Sequence, residues 1–265
     1  MNKKFTNKNI KQLLDESVVM NLKMGSQFYG TATKDSDEDW LSIYLPPENQ
    51  MRSAQQGATQ LQWQDEFGDI NYTDILTFSR NLLSGDNTVN VEALYNKDLI
   101  GSDLEFFYKN RKEFTTYNTL KCYLGLCKRD FNEIHSIADY KGKIKKFMHG
   151  YRGFLFYKNL ANDRELFDNN VIITCNYKHD EFINWLSDIN TFKTVLNQEI
   201  QKYLAAIDYE RASLNTKLDK GQIKKMPSLA FQEELDEYLN KYLSTLRIVQ
   251  QQKKYIDLSP FYVTD

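Results

Sequence analysis

Residues 23–47 read KMGSQFYGTATKDSDEDWLSIYLPP, and the fold turns on how this stretch divides. Upstream, SVVMNLKM (residues 17–24) alternates loosely and predicts a strand running into Gly25. Downstream, DWLSIYL (residues 39–45) predicts a second strand, stopped by Pro46-Pro47. Between them lies a polar loop rich in Gly, Thr and Ser. Gly25 lets the backbone come close to a ligand, and Ser26 offers a hydroxyl and an amide to a phosphate. In a strand, residues i and i+2 share a face, so Asp37 and Asp39 converge if the strand begins near Ser36.

Two adjacent carboxylates repel and do not both stay ionised without a cation. The hard-cation partner for such a pair is Mg²⁺, which favours a couple of carboxylates together with phosphate oxygens and water. A phosphate-gripping turn followed by a metal-binding Asp pair describes a site for a nucleoside triphosphate with Mg²⁺. In-line attack on phosphorus also calls for a third carboxylate near the attacking hydroxyl. Asp69, in FGDINYT, follows a glycine on the next strand-like run and is the best candidate. Asp74 is a rival with a simple helix-capping explanation, and Asp65 and Glu66 are further rivals.

Composition bounds these readings. The chain has 265 residues, 34 Lys+Arg against 36 Asp+Glu, and a formal net charge of −2. That excludes a polycation role for the whole chain but leaves room for a local basic groove. Three cysteines, Cys122, Cys127 and Cys175, argue against a disulfide framework and suit a reducing compartment. A zinc site from Cys122, Cys127, His135 and His179 is weaker than the reading of two small core residues on a helix. No apolar region follows the basic start MNKKFTNKNIKQLLDE, and no stretch reaches the roughly 18–20 apolar residues of a membrane span. The expectation is a soluble cytoplasmic protein with no membrane partner.

Further along, NKNIKQLLDE predicts a short helix, and LQWQDEFGDINYT an antiparallel pair or a long strand broken at Gly68. Thr73 is placed to cap the helix DILTFSRNLLSG, which Gly85 ends. DLEFFYKNRKEF, TLKCYLGLCKRDFNEIHSI and KGKIKKFMHGYRGFLFYKNLA carry helical periodicity, and NVIITCNY reads as a short β-like run. A long helical pattern follows through Ile183, Leu186, Ile189, Leu196, Ile200, Leu204 and Ile207. A last helix carries Leu235, Leu239, Leu243 and Leu246 on a core-packing stripe. The boundary between a mixed first part and a helical second part is read near residues 96–104.

GSQFYGTATKDSDEDW resembles the Gly-Ser … Asp-x-Asp signature of the DNA polymerase β-like nucleotidyltransferases. It looks most like the branch of predicted nucleotidyltransferases associated with RNA repair and phage genomes. DINYTDILTFSRNLLSGDNTVNVEALY is similar to that branch's third-carboxylate strand, following helix and Asn … Glu-Leu segment, although GDNTVNVE lacks the expected proline. KKFMHGYRGFLF is similar to its Lys-x-x-x-His-x-x-Arg helix. The match covers roughly residues 18–160.

The resemblance implies that Gly25 and Ser26 hold the triphosphate and that Asp37 and Asp39 bind two Mg²⁺ ions. Asp69 would bind the catalytic metal and assist deprotonation. Lys145, His149 and Arg152 would meet phosphates, and steps of four and three place them on one helical face. Glu92 reads as structural. The expected fold is α+β: a small mixed or antiparallel sheet flanked by helices (residues 1–100), then a mainly helical domain (101–265) completing the nucleotide cleft. The expected enzyme moves a nucleoside monophosphate from a nucleoside triphosphate to an acceptor hydroxyl, with an RNA end such as tRNA as acceptor. The alternatives are an antitoxin-like enzyme that AMPylates protein, and a catalytically silent nucleotide-binding module.

Overall fold

A computed structural model describes residues 14–30, 32, 34, 36–45, 60–64, 68–166 and 169–250. The strands form where alternation predicts them. β1 (Val18–Met24), β2 (Glu38–Tyr44), β3 (Gln60–Gln64) and β4 (Gly68–Asp74) make one sheet in the order β1-β2-β4-β3. β1 is antiparallel to β2, β2 parallel to β4, and β3 antiparallel to β4. The sheet is therefore mixed, and the pair expected within LQWQDEFGDINYT is β3 with β4. Asp65 and Glu66 lie outside the described residues, as does most of the helix expected at NKNIKQLLDE, of which residues 14–16 are described and helical.

The helices are α1 (Gly25–Phe28), α2 (Ile75–Ser84), α3 (Thr88–Ala93), α4 (Glu105–Lys109), α5 (Tyr117–Glu133), α6 (Tyr140–Ala161), α7 (Asn169–Trp185), α8 (Ile189–Asp219) and α9 (Leu229–Gln250). The chain is α+β, with helices dominating after the sheet. It groups into two compact units: residues 1–83, 96–110 and 228–265 form unit 1, and residues 84–95 and 111–227 form unit 2.

In unit 1, alternation sorts the sheet into two faces. One carries Tyr44 and Tyr72, which build a core with Leu14, against which Val18, Leu61, Trp63 and Ile70 pack. The Tyr72 hydroxyl leaves that core satisfied, donating to Asp15 Oδ1 at 2.6 Å. The other face buries Leu22, Met24, Leu41 and Ile43. Phe78 of α2 meets Phe107 of α4 edge-on at 5.2 Å. Leu235, Leu239 and Leu243 of α9 are buried as the stripe requires.

Unit 2 is built on α5 and α6, which approach closely at two glycines. A Cβ on Gly150 would lie 3.3 Å from Asp130 Cβ and Phe131, and one on Gly153 would lie 3.0 Å from Cys127 Sγ. Phe131, Phe147, Tyr151, Phe182 and Tyr203 interlock around this pair. Such aromatic contacts carry large apolar areas.

Four local expectations change. NVIITCNY is helical, the start of α7, because Val171, Cys175 and Phe182 form a buried helical stripe; packing overrides the β propensity of a short run. The long pattern through Ile207 is two helices, since Asp188 accepts from the amides of Asn190 and Thr191 and starts α8. DLEFFYKNRKEF breaks after α4 at Asn110, whose side-chain amide donates to the Phe106 carbonyl at 3.0 Å, and continues as a 3₁₀ turn at Arg111–Phe114. Asp74 rather than Thr73 caps α2, accepting from the Thr77 amide at 2.8 Å.

Candidate functional site

The register of β2 decides the arrangement. Asp39 is the partner of Met24 across β1 and of Asp69 across β4. Partnered residues of parallel strands project to the same face, so Asp39 and Asp69 stand side by side at the end of the apolar face. Gly25 follows Met24 directly, and its backbone turns over Asp39. A Cβ at Gly25 would lie 2.0 Å from Asp39 Oδ2, and its φ of +61° is left-handed. Only glycine allows this approach. The parallel pairing has its own glycine: a Cβ at Gly68 would lie 1.8 Å from the Glu38 carbonyl oxygen.

Two oxygens at this place are buried without a protein hydrogen-bond partner: Ser26 Oγ and Asp69 Oδ1. The second Asp69 oxygen accepts from Gln62 Nε2 at 3.3 Å. Buried polar atoms left unsatisfied are costly, so this pair calls for a ligand that brings both an acceptor for the hydroxyl and a cation for the carboxylate. Asp37 is exposed at the residue before β2. Asp74 is 6% exposed and committed to its cap, which removes it as a rival third carboxylate. Among the described residues, His, Cys, Asp and Glu side chains nowhere gather in threes in a way that could hold a metal ion. What the fold does bring together is Gly25, Ser26, Asp39 and Asp69, and an orphaned carboxylate oxygen beside a second carboxylate fits a divalent cation.

The opposite face of the same strands is structural. Lys23 pairs with Glu38 at 3.5 Å and lies over the Trp40 ring, while Trp40 donates to Glu38. Asn96 donates to the Lys23 carbonyl at 3.1 Å, fastening β1 just before the Gly25 turn. Neither Gln62 nor Asn96 has a signal in the sequence that singles it out.

Lys145, His149 and Arg152 belong to α6, in unit 2. Lys145 and His149 are exposed and Arg152 is half-buried. His149 is anchored: its Nδ1 contacts Asp130 Oδ2, on a carboxylate that is 0% exposed. Lys146 bridges the same Asp130 at 2.9 Å and Glu133 at 2.7 Å. Burial pushes the Asp130 carboxyl up, but hydrogen bonds and charge from His149 and Lys146 outweigh it and hold the group below its usual range. Burial raises the Cys175 thiol to about 11, with the Arg152 charge pulling against it. Glu92 is buried and accepts from the Tyr123 hydroxyl at 3.4 Å, in keeping with a structural role. No motif singles out Asp130, although a lone carboxylate in register with the buried stripe Tyr123, Cys127, Phe131 and Ile134 marks it.

A family model described as RlaP, RNA repair pathway DNA polymerase beta family, matches residues 3–243. No curated protein matches the chain. Among the solved structures that the chain is similar to is a nucleotidyltransferase-like protein from Exiguobacterium sibiricum 255-15, matched over 94% of this chain and 80% of its own, at 10% identity and a TM-score of 0.31. No helix among the described residues is long and apolar enough to cross a membrane.

Proposed function

The chain belongs to the RNA repair pathway DNA polymerase beta family, and from that premise we propose that it transfers a nucleoside monophosphate from a nucleoside triphosphate to the hydroxyl of an RNA end. That it is a polymerase-β-like nucleotidyltransferase follows from the family; the acceptor and the mechanism are our reading. One observation carries it: Asp39 and Asp69 sit in register beneath the Gly25 turn, with Ser26 Oγ and Asp69 Oδ1 buried and unpartnered.

In the proposed reaction the acceptor oxygen attacks the α-phosphorus. The bond to the bridging oxygen of the β-phosphate breaks, and pyrophosphate leaves. Ser26 binds phosphate oxygens through its hydroxyl, and the Gly25 backbone admits them at close range. Asp69 Oδ1 takes the proton of the attacking hydroxyl. Lys145, His149 and Arg152 are assigned to phosphate binding. Asp37, Asp39 and Asp69 would hold Mg²⁺, which when bound supplies charge neutralisation at the transferring phosphate.

The test is a transfer assay with Mg²⁺ and each of four α-³²P-labelled nucleoside triphosphates, offering total RNA in one set and cell protein in another. Label in RNA, reduced roughly 10²–10³-fold by Asp39→Asn and by Asp69→Asn, is the expected outcome. Label in protein bands would replace the RNA acceptor with a protein one. Nucleotide binding without label in either would favour a silent binding module.

A further inference from the structure

Unit 2 holds a cavity of about 230 Å³, lined by Tyr117 and Lys121 of α5 and by Arg211, Leu214 and Asn215 of α8. Its walls are two helical stripes facing each other, spaced by four residues on α5 and by three and four on α8. Their chemistry is one-sided. Arg211 Nε is buried and has no hydrogen-bond partner. The guanidinium lies against Gly125, where a Cβ would come within 3.7 Å of Nη2. Lys121 stands over the Tyr117 ring, its Nζ 5.8 Å from the centroid. The Tyr117 hydroxyl donates to Asn215 Oδ1 at 2.8 Å, which engages that acceptor.

Among the described residues, no carboxylate lines the cavity. Asp208, one turn before Arg211, is engaged by Lys128 at 2.7 Å and also feels the Arg211 charge, but makes no hydrogen bond to Arg211 Nε. The uncommitted polar groups are thus donors, two of them cationic, which selects an anion. The aromatic and aliphatic walls, Tyr117 and Leu214, add a surface for a flat apolar group. The size is below the roughly 300–1,000 Å³ of sites that enclose a whole drug-sized ligand, so the cavity suits part of one nucleotide and does not enclose all of it. The segment beside it is basic as well. The carbonyls of Lys224 and Lys225 accept from the amides of Tyr117 and Asn118, at 2.9 and 3.5 Å, and hold this stretch against the start of α5. These bonds occupy the first amides of α5, so anion binding here falls to side chains.

We propose that this cavity docks one nucleotide of a single-stranded RNA, with Arg211 and Lys121 on the phosphate and the Tyr117 ring beneath the base. The assignment deepens the RNA-acceptor reading and rests on it, since what it names is a place where an acceptor strand is held. Stacking on an aromatic ring combined with cations on the backbone is how sequence-tolerant single-strand sites work.

The experiment is a fluorescence-anisotropy titration of a short labelled single-stranded RNA, without nucleoside triphosphate or Mg²⁺. Binding is read apart from turnover, so a failure of the transfer assay and a failure here are separate results. Arg211→Ala and Lys121→Ala are each expected to weaken binding roughly tenfold. The slope of log K against log salt should flatten by about 0.7 for each cation–phosphate interaction removed. Arg211→Lys should recover part of the affinity. Lys193→Ala, which removes the same charge from an exposed site about 27 Å earlier along α8, should change neither. Should Arg211→Ala melt before it can be titrated, Lys121→Ala, at an exposed side chain, carries the test. Wild-type affinity and slope in both alanine variants would overturn the proposal. So would an equal loss in Lys193→Ala, which would mean diffuse charge attraction. Displacement of the RNA by uridine monophosphate at the same phosphate concentration would also overturn it, in favour of a free-nucleotide site.

Discussion

At the scale of single residues, the site depends on what is missing from a side chain as much as on what is present. Gly25 sits where a methyl group would occupy the space of Asp39 Oδ2, 2.0 Å away, at a left-handed φ. Gly25→Ala is therefore expected to cost roughly 1–2 kcal/mol from backbone strain alone. It should also displace the Asp39 carboxylate, so that a melting curve shows a modest loss while nucleotide binding is abolished. Carboxylates in a ligand site behave the other way. Asp37 is exposed and Asp39 half-buried, and if the two act as the like-charged ligand pair read from the sequence, removing both charges relieves the empty fold. The double variant Asp37→Asn/Asp39→Asn is expected to melt at or above the wild-type temperature and to lose Mg²⁺–nucleotide binding. Clear unfolding of that variant would make the pair structural.

At the scale of elements, α5 and α6 are tied by a buried charge. Asp130 holds His149 and Lys146, both on α6. Its carboxyl is held below its ordinary value of 3.8 in the folded chain. A depressed carboxyl contributes stability that is present above its unfolded pKa and lost as pH falls through the folded one. Lys146 is the reverse case. Burial works to lower it, but bonds to Glu133 and Asp130 raise it above 10.5, so its share is present below that value and lost as pH rises past it. Asp130→Asn should cost about 1–3 kcal/mol at neutral pH. The gap to wild type should close as the pH falls below the ordinary carboxyl value of 3.8. Melting temperatures of both proteins across the acid range check this, and a gap independent of pH would mean that the charge contributes nothing.

On the scale of the whole molecule, the chain passes between its two units four times, at residues 83/84, 95/96, 110/111 and 227/228. Unit 1 consequently owns residues far apart in sequence. Phe107 packs on Phe78, and Phe106 stacks on Tyr238 of α9 at 4.4 Å. A fragment ending at residue 100 keeps the sheet and Asp69 but loses Phe107, Tyr238 and the α9 stripe, and it carries a piece of unit 2 that has no α5 to pack on. Such a fragment is expected to show no cooperative unfolding by circular dichroism and no nucleotide binding. A sharp transition from it would mean that the sheet is self-sufficient.

Local chemistry made the strand pair around GSQFYGTATKDSDEDW, the candidate site carboxylates and the amphipathic helices legible in the sequence. Alternation, glycine freedom and charge repulsion all act over a few residues, and each leaves a pattern in the residues themselves. Helix limits inside apolar stretches were less legible, as α7 shows, because β-branched residues carry a weak preference that the burial of Val171, Cys175 and Phe182 overrules. Only the tertiary structure decided that β2 and β4 pair in parallel with Asp39 opposite Asp69, and that Asp130 is sealed beneath α6. Each of these depends on which distant segment fills the space beside a residue. Register, burial and the partner of a charge are set by the packing of the whole chain, and no short stretch contains them.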